Sequence, residues 1–354
     1  IPGLFPLPPN WDVESLQQVI YAQIVKKVGE RDYFDQLATQ VAQIVRRHVE
    51  VMRGRIATDP AAKAHFETYY TLLKKAIYAA VSLDDALIML AQHGVSTRLF
   101  DTLFGSDDFS RHNPISKAME SSRVLLQNLT TEEEQETLDK LYENISRKVK
   151  AISGEHDGGR CRQALIKSLY DTFFAAAFPD MAAKLGIVFT PIEVVDFILR
   201  SADEALRKHF GKKLTDEGVN ILDPFTGTGT FVTRLLQSGL ITPKDIRRKY
   251  REEIFANEIV LLSYYIAALN IETVYHALVG RSTYQAFPGI VLCDTFRMRE
   301  ITERDIFDDE ELRPNSERLL RENRTPISVI VGNPPYSVAK GEKYDVLDKD
   351  IEVT

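Results

Sequence analysis

Residues 219–231 read VNILDPFTGTGTF. A short run rich in Val, Ile and Leu stops at Asp223, bends through a glycine-bearing loop and passes into the helical stretch TGTFVTRLLQSG. Gly227 and Gly229 let the backbone turn sharply and come close to a ligand, where a Cβ would collide. Dinucleotide dehydrogenases share such a strand-to-helix turn, so the turn alone does not choose a chemistry. The third glycine of G-x-G-x-x-G is absent, because GTGTFV puts Val232 there. No G-x-x-x-x-G-K-[ST] occurs in the chain either, which removes a nucleotide-triphosphate motor from it.

Three further runs of the same kind follow, in EEIFANEI, PGIVLCDTF and ISVIVGNPP, separated by helical segments such as IVLLSYYIAALNIETVYHAL. This alternation predicts an α/β fold, a doubly wound parallel sheet with helices on both faces, its strands ending in Ile221, Phe255, Leu292 and Val331. Ligands of such sheets gather beyond the carboxyl ends of the strands. Glu258, one to two residues past the last buried position of the second strand, is placed to accept hydrogen bonds from ribose hydroxyls, and Ile259 to pack on a flat base. After the third strand, Asp294 could accept from an exocyclic adenine amine and Phe296 could stack. Each acid alone also reads as a helix N-cap. Three in succession at three strand ends, Asp223, Glu258 and Asp294, outline a cavity for a nucleoside with a charged tail.

Ahead of this region the pattern is helical from Trp11 to about Asp180. Leu16, Val19, Ile20, Ile24 and Val28 make one apolar stripe, and Phe34, Leu37, Val41, Ile44 and Val45 the next. The segment LTTEEEQETLDKLYENISRKVKAI predicts a helix capped by Thr130 or Thr131 with Glu132 to Glu134 in its first turn. Asp59, Lys63 and Glu67 fall at helical spacing and read as an exposed salt-bridged face rather than a nuclease centre. No His/Cys pair has metal-ligand spacing.

The 354 residues carry a net charge of -7, without the basic footprint by which a chain grips duplex nucleic acid on its own. Two cysteines, Cys161 and Cys293, lie far apart in apolar surroundings and read as buried thiols of a reducing compartment. No apolar run reaches the ~20 residues of a membrane span and no leader pattern is present, so a cytoplasmic location without membrane contact is expected. The opening IPGLFPLPPN reads as a linker or a trimmed terminus.

Taken with NPPY at residues 333–336, the set resembles the adenine-N6 DNA methyltransferases, in the class whose cofactor motifs precede the catalytic one. The likeness runs through FTP at 189–191, DPFTGTGTF, ANEI, CDTF and NPPY. It implies a Rossmann-like fold that binds S-adenosylmethionine. Phe189, Thr190 and Pro191 would touch its methionine part. Asp223, Pro224, Phe225, Thr226, Gly227, Thr228, Gly229 and Thr230 would form the loop around it. Glu258 would hold the ribose, with Ile259 beside it against the base, and Asp294 and Phe296 would hold the adenine, with Thr295 in the same set. Asn333 belongs to this set and to the catalytic one of Asn333, Pro334, Pro335 and Tyr336.

More narrowly, RQALIKSLYDTFFAAAFPDMAAKLGIVFTPIEVVDFIL and VIVGNPPYSVAKGE resemble the single-chain restriction-modification enzymes called Type ISP. There nuclease, ATP-dependent translocase, helical coupler, methyltransferase and target-recognition domain follow in one polypeptide. Residues 1–150 would be the helical coupler-like domain, 151–185 connecting helices, and 186–354 the methyltransferase core. The implied partners are double-stranded DNA, a downstream target-recognition domain and upstream translocase and nuclease domains.

In that likeness Asn333 and the Pro334 carbonyl would accept from the amine of adenine and stabilise the charge that develops on it, and Tyr336 would stack on the flipped base. The resembled fold has the strand order 3-2-1-4-5-7-6, of which four strands supply one contiguous half. A fragment with an open, apolar fourth edge is therefore expected, lacking the target-recognition domain. Methylation of protein glutamine or of RNA remains open, as does a coupler that binds S-adenosylmethionine without catalysis.

Overall fold

The structure, a computed structural model, describes residues 39–76, 81–104, 108–122, 125, 127–153, 190–280, 284–296 and 312–334. The Pro-rich opening, the stripe from Leu16 to Leu37, Cys161, the connecting stretch up to Phe189, and Pro335, Tyr336 and the residues after them lie outside the described residues.

The first part is built from helices. They are α1 (39–58), α2 (Pro60–Ala76), α3 (Leu83–Phe104), α4 (Asp108–His112), α5 (Pro114–Ser121) and α6 (Glu132–Ser153). The predicted stripe of α1 is buried at Val41, Ile44 and Val45, in one core with Leu87 and Leu90 of α3 and Leu138 and Leu141 of α6. A capping box starts α6: Thr131 Oγ1 accepts from the Glu134 amide at 3.3 Å, and the Glu134 carboxylate accepts from the Thr131 amide at 2.8 Å. Thr131, not Thr130, is therefore the cap. The expected Asp59–Lys63–Glu67 face is divided. Lys63 pairs with Glu67 at 3.8 Å in solvent, whereas Asp59, also exposed, accepts from the Ala61 amide at 2.8 Å and caps α2, whose first residue is Pro60.

From residue 190 onward helices and strands alternate as predicted. They are α7 (Ile192–Phe210), β1 (Asn220–Asp223), α8 (Thr230–Gln237), the short turn α9 (Ile246–Arg248) running into a π-helical turn (Lys249–Glu253), β2 (Ile254–Glu258), α10 (Leu261–Val279), β3 (Ile290–Leu292), α11 (Arg313–Arg324) and β4 (Ile327–Ile330). The four strands form one parallel sheet in the order β3-β2-β1-β4. This is the contiguous 3-2-1-4 half that the resemblance implies. β1 and β2 run beyond the predicted Ile221 and Phe255, because backbone pairing carries Asp223 opposite Ala256 and Glu258 opposite Leu292 past the apolar run.

α10 is the central helix, and every residue from Leu261 to His276 is buried. Its Tyr265 hydroxyl lies 3.0 Å from Nδ1 of His93 on α3, and the Phe109 ring meets the Tyr265 ring edge-on at 5.7 Å. The Tyr264 hydroxyl accepts from Asn113 Nδ2 at 3.3 Å, so α10 is gripped by the helical part.

The two edges of the sheet differ. α11 lies along β3, and its buried Asn315 treats Leu292 as a neighbouring strand would. Oδ1 accepts from the Leu292 amide and Nδ2 donates to the Leu292 carbonyl, both at 3.0 Å. Arg318 donates to the carbonyl of Ile290 at 3.2 Å. On the other side β4 pairs with β1 alone among the described residues, and Ile330 is 66% exposed. Replacing Asn315 by Leu keeps the branched skeleton but leaves both buried backbone groups of Leu292 unpaired. The expected loss is about 2–4 kcal/mol of stability, read from the urea midpoint.

Candidate active site

The parallel register brings the predicted residues to one end of the sheet. Asp223 is the last residue of β1 and Glu258 the last of β2. The Cys293 amide donates to the Glu258 carbonyl at 2.9 Å, so Asp294 follows directly beside Glu258. On the other flank the Val331 amide donates to the Leu222 carbonyl at 2.9 Å, which sets Gly332 and Asn333 beside Asp223. A Cβ on Gly332 would stand 2.7 Å from Asp223 Oδ1 and 3.3 Å from Pro224 Cδ. Thr295 closes the third side by donating to the Pro224 carbonyl at 2.7 Å.

The loop between β1 and α8 is held at each residue from 226 to 229. The Thr226 amide donates to the Asn257 carbonyl at 2.9 Å, and its hydroxyl to the Asp223 carbonyl at 3.0 Å. The Gly227 amide donates to Glu258 Oε2 at 2.8 Å, Asn270 Nδ2 to the Thr228 carbonyl at 2.9 Å, and the Gly229 amide to the Thr226 carbonyl at 2.9 Å. Both glycines have positive φ, 56° and 82°, for which only glycine is unstrained. Their surroundings differ. A Cβ on Gly229 would press 3.2 Å from Ala267 and Ile271 of α10, whereas one on Gly227 would meet nothing within 4 Å. Gly229 thus serves packing, and Gly227 leaves open space above the loop. The rings of Phe225 and Phe296, 5.4 Å apart and tilted by 40°, make an aromatic wall beside it.

Glu258 departs from its predicted position. It ends β2 rather than standing past it, is buried, and accepts three backbone amides: Gly227 on Oε2, and Ile259 and Val260 on Oε1 at 3.0 and 2.8 Å. Three of the roughly four lone-pair positions of the carboxylate are filled. The cap reading and the ligand-facing reading therefore meet in one side chain, which clasps the loop and the start of α10 together. Burial nonetheless pushes its carboxyl up to about 7. Asp223 has less support. Its Oδ1 accepts the Phe225 amide at 3.2 Å, while Oδ2 is buried with no partner. Burial, with a smaller contribution from the Glu258 charge, pushes Asp223 up to about 8.

The remaining predicted residues fall into two groups. Pro191 caps α7 and Thr190 precedes it; Arg234 of α8 forks onto Asp196 of α7 at 2.8 and 2.7 Å. Both residues stand in the second turn of their helices, so the fork sets the starts of α7 and α8 at one level. Phe189, Pro335 and Tyr336 lie outside the described residues, and Pro334 is exposed. Sequence reasoning missed Asn270 and Gly332. The signal for Asn270 was a lone amide in the apolar run YYIAALNIETV. Among the described residues no three His, Cys, Asp or Glu side chains gather as a metal site, and no helix is long and apolar enough to cross a membrane.

Two family models match the chain: the Type ISP restriction-modification enzyme coupler domain over residues 33–157, and the N-6 DNA Methylase family over 162–351. Three solved structures resemble it. A nuclease-deletion mutant of the Type ISP restriction-modification enzyme LlaGI in complex with a DNA substrate mimic is 40% identical, with TM-score 0.81 over 96% of this chain and 28% of that one. The ATP-dependent Type ISP enzyme LlaBIII bound to DNA is 39% identical, with TM-score 0.82 over 96% and 24%. A DrdV–DNA complex is 30% identical, with TM-score 0.77 over 97% and 34%. The chain thus spans about a quarter to a third of the length of these structures. No curated protein matches it.

The raised carboxyl of Asp223 makes stability depend on pH. A folded-state value near 8 against an unfolded value near 4 means that the folded chain binds more protons between the two. This contribution is complete below about pH 4 and is lost as the pH rises through about 8, with a slope of at most about 1.4 kcal/mol per pH unit. Asp223→Asn removes it. Urea midpoints measured at about pH 5.5 and about pH 8 should fall more for the unaltered chain than for the variant.

Proposed function

Because the chain belongs to the N-6 DNA methylase family and carries ahead of that domain the coupler of Type ISP restriction-modification enzymes, we propose that it transfers a methyl group from S-adenosylmethionine to the N6 amine of an adenine flipped out of duplex DNA. In this reading residues 1–150 are the coupler-like domain, 151–185 the connection and 186–354 the methyltransferase core. The partners are DNA, a target-recognition domain, and translocase and nuclease domains of one polypeptide. The matched relatives bound to DNA or to its mimic favour DNA over RNA or a protein amide.

The observation that carries the proposal is the seat of Gly332 against Asp223. It joins the segment that bears Asn333 to the acid that ends β1 and starts the loop. The residues present suit the cofactor. The partnerless Asp223 Oδ2 and the open space above Gly227 offer an acceptor and room. Three strand-end acids match its ribose hydroxyls, amines and positive charge. Asp223 to Thr230 would surround it, Glu258 would hold the ribose with Ile259 against the base, and Asp294 and Phe296 would hold the adenine, with Thr295 between them. Phe189, Thr190 and Pro191 would meet the methionine part. When bound, it supplies an electrophilic methyl group on a sulfonium.

The chain's own task is to prepare the nucleophile. The lone pair of an adenine amine is delocalised into the ring. Asn333, through its side-chain oxygen, and Pro334, through its carbonyl, accept from the two amine hydrogens, draw the nitrogen toward tetrahedral geometry and stabilise the positive charge that forms on it. Pro334 and Pro335 have fixed φ and keep the acceptors from relaxing. Tyr336 offsets part of the few kcal/mol lost on flipping, since stacking returns about 1–3 kcal/mol.

The test is transfer of labelled methyl groups to duplex DNA by a polypeptide that joins this chain to the further domains of the matched enzymes. Asn333→Ala should lower the rate by about 10²–10³. Undiminished transfer would sink the mechanism.

A further inference from the structure

Asn270 is a polar side chain in the middle of a helix buried on every side, 6% exposed itself. Burying an amide costs free energy unless it finds a hydrogen-bond partner. Its Nδ2 donates to the carbonyl of Thr228 at 2.9 Å. The amide of the same peptide unit, at Gly229, donates to the Thr226 carbonyl at 2.9 Å. Asn270 thereby ties one end of a peptide plane whose other end is tied within the loop. Gly229 at φ 82° tolerates either orientation of this plane, so the tie on its carbonyl helps to fix which one is adopted. Ala267, about one helical turn before Asn270, and Ile271, next to it, fill the space where a Gly229 side chain would be, so α10 sets both the position and the orientation of this peptide. The Asn270 Oδ1 atom is buried and has no partner, so the amide's role here is that of a donor to the loop.

We infer that Asn270 is a positioning residue for S-adenosylmethionine: it holds the Thr228–Gly229 peptide in the one orientation that leaves the cofactor cradle open. This rests on the cofactor reading above. Asn270→Ala removes the tie. Asn270→Asp keeps the shape but sets a carboxylate against the Thr228 carbonyl and is the more damaging change.

The experiment measures equilibrium binding of S-adenosylmethionine to the chain by titration calorimetry, with hydrogen exchange of residues 226–229 followed in the absence of cofactor. Asn270→Ala should bind about tenfold more weakly, as expected for one lost hydrogen bond, and its loop amides should exchange about tenfold faster. Asn270→Asp should lose more in both. Thr273→Val, a buried change one turn along the same helix, controls for general loosening of α10 and should leave both readouts unchanged. Equal affinity and equal loop exchange in both Asn270 variants would overturn the inference alone. Losses as large in Thr273→Val would overturn it too, by making the effect one of helix stability. No binding by the unaltered chain would overturn the cofactor reading and the inference with it.

Discussion

One carboxylate ties the working end of the molecule together. Glu258 accepts amides from the loop after β1 and from the first residues before α10, so the end of β2, the loop and the central helix share a single anchor. Ionised, it satisfies three donors that would otherwise be buried unpaired or left to water. Burial acts against that ionisation. Burial outweighs the three amides, since the folded-state carboxyl stands at about 7, so the clasp is held against a cost that grows as the pH rises through that value.

Around that anchor the chain divides its means of holding shape. The helical part and α10 share an apolar core, and the Tyr264 and Tyr265 hydroxyls add hydrogen bonds between them. The end of the sheet relies on hydrogen bonds to backbone, from Thr226, Thr295, Asn270 and Glu258. Apolar packing tolerates small shifts, whereas a tied peptide does not. The loop is accordingly the most narrowly defined part of a site in which Asp223 keeps one buried oxygen, Oδ2, without a partner.

Much of this could be read in the linear text. The glycine loop, the three strand-end acids and the NPPY corner are local patterns, and their chemistry is written in consecutive residues. The alternation of apolar runs with helical segments was enough for a parallel sheet. What escaped depends on partners far along the chain. Asn270 meets Thr228 from 42 residues away. Gly332 is needed because Asp223 stands where its Cβ would be. Asn315 lies in RPNSERLLRENR, which reads as a solvated helix, yet it is fully buried because the edge of β3 requires a donor and an acceptor there. The predicted end of β2 at Phe255 fell short for the same reason: side-chain character marks where an apolar run stops, while pairing with a neighbour decides where a strand does.

The amide of Asn315 also gives the sheet a direction. By occupying the place of an adjacent peptide it closes β3 to any further strand, while β4 pairs with β1 alone among the described residues and carries the exposed Ile330. Any strand that joins this sheet must therefore arrive beside β4. Asn333 and Pro334 then stand at a seam, between the strands already in place and whatever is laid against them, and the corner completes its surroundings only from that side.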